Sequence, residues 1–184
     1  MNILGRMAGY VFGAIMITLS LLITVETLIR KLYSISLGGV DELSGYAIAI
    51  GAPLAFAVAS LEQSHIRINL LYVKLPQFTQ AILNAVAAVS IGGLAVFFLV
   101  FTIGTVEDTI SYKSIAQTPW ATPLVYPQTV WLGASVVFAV VASLLAVRAA
   151  WLLLRGNMST LAQTYGPERI EDELESELAD LKQR

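Results

Sequence analysis

The 184-residue chain contains no cysteine. That excludes a disulfide framework, a thiol nucleophile and a thiolate metal site. Histidine occurs once, at His65, and a lone imidazole cannot complete the usual ligand set of a haem or zinc centre. Serines and threonines are scattered without a paired base, and no glycine-rich phosphate loop is present. No catalytic constellation, cofactor site or nucleic-acid partner is therefore expected. Charge is also scarce. Asp, Glu, Lys and Arg make up 13% of residues, against about 25% in soluble domains. No internal repeat is visible, so an inverted-repeat transporter core is not supported. The chain is too small to be a complete transporter of that kind.

What the chain has instead is apolar surface. Hydrophobic residues make up 57% and the mean hydropathy is +0.73. A soluble domain this small could not bury so much, so lipid or another membrane protein must cover it. Four spans follow, each meeting the roughly 20 residues that ~30 Å of hydrocarbon demands. Met7 to Ile29 is apolar except for Glu26, and Leu43 to Leu61 and Leu75 to Val106 are uncharged. The third is longer than needed and must tilt or extend beyond the core. A fourth uncharged run is broken by Pro119, Pro123 and Pro127. Proline is tolerated in a helix's first turn and not inside, which puts the fourth helix from about Gln128 to Leu154. The first run exceeds a signal-peptide core and lacks an A-x-A-like cleavage site. It reads as a retained helix.

The fold expected is an all-α membrane protein with four transmembrane helices and both termini in the cytoplasm. Residues 1–155 form the membrane domain, and residues 156–184 an acidic cytoplasmic tail, partly helical or disordered. The orientation follows lysine and arginine near the span ends: six such residues (Arg6, Arg67, Lys74, Arg148, Arg155, Arg169) fall inside and three (Arg30, Lys31, Lys113) outside. The tail holds seven acids and three bases, net −4, leaving +2 for the rest. Ile170, Leu174, Leu178 and Leu181 form one helical stripe along it.

Candidate functional residues lie in the breaks between spans. Glu26 stands one turn before Arg30, an i,i+4 pair within one helix, and an acid inside an apolar span is a functional candidate by default. Gly38-Gly39 ends the first element. Asp41 reads as the N-cap of the second helix, with Glu42 either supporting the cap or meeting a neighbouring subunit. Pro53 and many small residues in the second span suit a kink and close helix approach.

The connector E-Q-S-H-I-R-I-N-L-L-Y-V-K-L-P, Glu62 to Pro76, reads as a short interfacial helix. His65, Asn69 and Tyr72 fall on one side, and Arg67 and Lys74 on the other. The cationic side suits lipid phosphates and the opposite side a protein contact. An alternating strand is the other reading, but it needs a partner edge. In T-P-W-A-T-P-L-V-Y-P-Q, the prolines Pro119, Pro123 and Pro127 stiffen an outer loop. Trp120 and Tyr126 are of the type that lies at a membrane interface.

The order of these pieces carries a resemblance: an amino-terminal span, D-E-L-S opening the second, S-H-I-R-I-N-L-L and L-P, a third span, the T-P…P-Q loop and a fourth span. Over roughly residues 1–155 the chain resembles the small membrane subunit of tripartite ATP-independent periplasmic (TRAP) transporters, the DctQ-like family. The most specific piece is Glu42 followed by His65-Ile66-Arg67-Ile68-Asn69. Ile68 and Asn69 depart mildly from the family pattern, and the acidic tail lies outside it.

The resemblance implies a non-catalytic scaffold or anchor subunit in the bacterial inner membrane. It would widen the static part of a large elevator subunit that moves small organic anions (carboxylates or sulfonates) with sodium. A periplasmic solute-binding protein, the large multi-span subunit and membrane phospholipids would be the partners. Glu42, His65, Arg67, Asn69, Tyr72, Lys74, Glu26 and Arg30 would be subunit-interface or membrane-anchoring residues. The loop with Pro119, Trp120, Pro123, Tyr126 and Pro127 would lie near the docking surface for the binding protein. The competing reading is a membrane anchor for a redox complex, but such anchors often give two histidines to haem.

Overall fold

The computed structural model of the chain describes residues 3–36, 38–63, 72 and 74–166, without the side chains of residues 3–9 and 11. These form five helices: α1 (Ile3–Tyr33), α2 (Val40–Glu62), α3 (Gln77–Tyr112), α4 (Val125–Leu154) and α5 (Met158–Tyr165). The first four contain segments long and apolar enough to cross a membrane. Helix is the economical answer, because each helix satisfies its own backbone where water is absent. Hydroxyls inside the spans follow the same rule. Thr18, Thr24 and Thr27 of α1 each donate to the carbonyl four residues earlier, as do Thr102 of α3 and Ser135 of α4.

Several boundaries correct the sequence expectation. α1 ends at Tyr33, followed by Ser34 at φ 55°. Gly38-Gly39 therefore opens α2 rather than ending α1. The N-cap of α2 is Gly39 at φ 83°, without a side-chain cap, and Asp41 sits inside the first turn. The reason is steric as well as conformational. A Cβ on Gly39 would lie 2.3 Å from the Trp120 ring, so only glycine fits. Helix α4 starts at Val125, slightly before the expected Gln128, and keeps Pro127 in its first turn, where a missing N–H costs nothing. Helix α3 runs past Val106 to Tyr112 and carries the exposed Glu107 and Asp108. Its 36 residues give a length of about 54 Å, well beyond ~30 Å of hydrocarbon. Residues 64–71 and 73, where the interfacial helix is expected, and the stripe at Ile170 to Leu181 lie outside the described residues.

The helices alternate in direction around α4. It packs against α2, α3 and α5, α1 packs against α2, and α5 also meets α3. Alanine dominates the buried set. Ala81 and Ala85 of α3 meet Ala149 and Leu152 of α4, with Leu161 and Tyr165 of α5 closing that cluster. Ala57 of α2 and Ala95 of α3 meet Phe138, Ala139 and Ala142 of α4. Small residues let backbones approach, which is how helices associate without a hydrophobic drive. The closest approach is at Gly92, where a Cβ would lie 2.6 Å from Ala146 Cβ and 3.2 Å from the Ala142 carbonyl oxygen. Gly51 plays the same part for α1, seating the Phe12 ring and Met16.

Gly92→Leu is expected to cost about 1–3 kcal/mol, the usual penalty of overpacking. Gly93→Leu is the control, since a Cβ there meets nothing within 4 Å, and it should be near neutral. Denaturant unfolding in mixed micelles reads the difference. Helix propensity favours leucine at both positions, so equal losses in both variants would mean that the close α3–α4 approach at Gly92 does not set the effect.

Candidate functional site

Polar side chains gather at the two ends of the bundle. At the end where α1 meets α2, Glu26 is 3% exposed. Its Oε1 accepts from Arg30 Nε (3.2 Å) and Nη2 (2.8 Å) and from Ser36 Oγ (2.7 Å). The pairing with Arg30 follows from one helical turn. The Ser36 bond reaches across the α1–α2 turn, and Ser36 Oγ in turn accepts from the Gly38 N–H at 3.2 Å. Arg30 Nη2 also lies 3.8 Å from Asp41 Oδ2 at the start of α2. A buried carboxylate thus ties the end of α1 to the turn and to α2. Three donors on one oxygen offset the cost of taking that charge out of water.

Next to this latch, the loop between α3 and α4 folds over the start of α2. Ala116 N donates to Thr122 O at 2.9 Å, Leu124 N to Ser114 O at 3.0 Å and Ala121 N to Thr118 O at 3.0 Å. The loop is therefore a closed, hairpin-like turn. Trp120 covers Gly39, and Pro119 lies 3.4 Å from the position of a Cβ on Gly38. Trp120 and Tyr126 remain half or more exposed, Pro119 and Pro123 are exposed, and Pro127 is partly covered. Beneath them Glu42 is 5% exposed. Its Oε2 accepts from Tyr46 Oη at 3.1 Å. Among the described residues, Glu42 Oε1 is buried without a hydrogen-bond partner, as are Thr118 Oγ1 and Gln128 Oε1. Glu42 is thus held within the chain, in the first turn of α2.

At the opposite end, His65, Arg67 and Asn69 lie outside the described residues. Tyr72 and Lys74 do not. Tyr72 Oη accepts from Asn84 Nδ2 of α3 at 2.7 Å. Gln80 Nε2 donates to the carbonyls of Tyr72 and Leu75, so the end of the connector is pinned to the first turns of α3. Lys74 is exposed. Tyr165 of α5 donates its hydroxyl to the Leu145 carbonyl at 2.9 Å. Burial pushes the Tyr165 phenol above its ordinary pKa, and the charge of Arg148 partly counters this. A small cavity of about 20 Å³ lies beside it, lined by Ser60, Gln63 and Tyr165 among others.

These contacts hold the fold together. Among the described residues no group of three or more His, Cys, Asp or Glu could hold a metal. Sequence reasoning missed Ser36, Tyr46, Asn84 and Tyr165. Asn84 and Tyr165 bond to partners twelve and twenty residues away, and Ser36 to one ten residues away across a turn, distances no local pattern encodes. Tyr46 stands one turn from Glu42, so that spacing was readable.

The family model described as "Tripartite ATP-independent periplasmic transporters, DctQ component" matches residues 19–154. The match runs from the middle of α1 to the last residue of α4, and α5 falls beyond it. No curated protein matches the chain significantly, and no solved structure does.

Glu26→Ala removes the acceptor of three donors and is expected to lower stability by roughly 1–3 kcal/mol. Ser36→Ala should cost less, since Arg30 stays paired. Unfolding midpoints of the two variants in lipid–detergent mixtures check the order. An unchanged midpoint for Glu26→Ala would show that the latch adds nothing to the fold.

Proposed function

Since the chain belongs to the DctQ-component family of tripartite ATP-independent periplasmic transporters, we infer that it serves its transporter as a static scaffold. It is a small membrane subunit, a multi-pass inner-membrane protein and a transporter component rather than an enzyme. A DctQ component works with a large membrane subunit and a periplasmic binding protein. In the reading proposed here, this chain widens the fixed part of a large elevator subunit. That subunit moves small organic anions, carboxylates or sulfonates, together with sodium.

The observation that carries the scaffold reading is the contrast between ends and flanks. Polar side chains are concentrated in contacts at the bundle ends, while α1 and α3 leave long apolar faces uncovered. Leu21, Val25 and Leu28 of α1 and Phe97, Val100 and Phe101 of α3 are exposed. Part of that surface suits lipid and part suits the large subunit. We place both termini in the cytoplasm, residues 1–155 as the membrane domain and residues 156–184 as a cytoplasmic tail that starts with α5. Arg67 and Lys74 then meet phospholipid headgroups on the inner side. His65 and Asn69 contact a neighbouring helix or subunit there. The Pro119–Pro127 loop, with Trp120 and Tyr126, faces the periplasm close to where the binding protein docks. Glu26, Arg30 and Glu42 support that loop from below.

Expression alone and together with its genomic neighbours tests the reading. Co-purification with a many-span membrane protein is expected, and failure to copurify with any would sink it. His65→Ala is expected to lower complex assembly or transport modestly and leave solute specificity unchanged. Uptake competition by related anions reads specificity, and an altered ranking would overturn the scaffold role.

A further inference from the structure

We propose that the acidic segment after Gly166, residues 167–184, is held against a cationic stripe at the end of α4 made by Arg148, Trp151 and Arg155. Arg148 and Arg155 stand seven residues apart, two turns on one side of the helix and about 10 Å along its axis. Both are exposed, and among the described residues neither forms an ion pair. The Arg155 guanidinium lies 3.8 Å over the Trp151 ring, and Trp151 is itself 49% exposed. The indole holds that guanidinium in place, which reduces the entropy lost when a carboxylate arrives.

The route of the chain delivers the acids to this stripe. Gly156 at φ +69° reverses direction after α4, and Asn157 caps α5 by accepting from Thr160 N–H. Helix α5 then runs back along α4 until Tyr165 bonds the Leu145 carbonyl. The charge of Arg148 is felt at the Tyr165 hydroxyl. The chain therefore leaves the bundle at the level of Arg148, with Arg155 two turns away. The segment that follows carries seven acids and three bases, with Glu168, Glu171 and Asp172 among its first residues. Its eighteen residues span about 27 Å even when fully helical, so reach is not limiting. A tether this short gives an effective concentration on the order of millimolar. The occupant is thus an acidic peptide of the chain itself, and anionic lipid headgroups are its competitor.

The absence of cysteine allows two clean labels on the full chain. Spin labels at Leu154→Cys, a residue 87% exposed, and Ser176→Cys report the distance between stripe and tail. In nanodiscs of uncharged phosphatidylcholine, a short and narrow distance is expected at about 20 mM salt. It should lose roughly half or more of its population at about 500 mM, as the screening length falls from ~20 Å to ~4 Å. Arg148→Gln with Arg155→Gln should cause the same loss at low salt, as should Glu168→Gln, Glu171→Gln, Glu173→Gln and Glu175→Gln together. A broad distribution that none of these changes moves would overturn the proposal. So would a short distance that survives all of them, which would assign the contact to the apolar stripe. Phosphatidylglycerol retention by native mass spectrometry supplies the remaining arm. Retention that depends on both arginines but does not rise when the tail is neutralised would give the stripe to lipid and refute the proposal.

Discussion

In hydrocarbon the hydrophobic effect gives helices no reason to associate, so the approach of α3 to α4 at Gly92 is the contact on which the bundle rests. A backbone that close gains dispersion along its whole length. Gly92 against Ala142 and Ala146, and Ala81 and Ala85 against Ala149, put small residues at successive levels of one interface. Helix α2 then takes the other side of α4 through Ala57, and α1 follows at one remove through Gly51. Larger side chains at these levels would separate the backbones and remove the attraction that replaces hydrophobic collapse here.

Polar groups take a complementary part. Each end of the bundle is closed by side chains that reach across loops, Glu26 to Ser36 at one end and Asn84 to Tyr72 at the other. Between the ends, polar contacts are mostly hydroxyls bonded within their own helix. Such a distribution suits a body that keeps its shape while a neighbour moves, since no polar group in the middle has to exchange partners.

Much of this was legible in the sequence, for physical reasons. Four apolar runs of sufficient length leave helix as the only answer in lipid, and Pro127 located the start of α4 to within three residues. The i,i+4 spacing of Glu26 and Arg30 was readable because a helix brings those positions together whatever surrounds it. The errors fell where tertiary contact decides. Asp41 looked like a cap because acids favour that place, yet the Trp120 ring lies where only glycine fits, and this moved the cap to Gly39. The fold-back of α5 onto Leu145 was equally invisible, because its partner lies twenty residues upstream. His65, Arg67 and Asn69 stand out in the sequence as the polar centre of a connector, and they lie outside the described residues.

The position of α4 has a consequence for biogenesis. As the chain leaves the ribosome, α1, α2 and α3 enter the bilayer before the helix that α2 and α3 pack against has been made. Until then Ala57 and Gly92 face lipid or translocon, and the α1–α2 hairpin rests on its own contacts at Gly51 and Glu26. Assembly is therefore completed by the last span. A chain stopped before Val125 would leave three inserted helices without their common partner, in a state that membrane quality control can recognise.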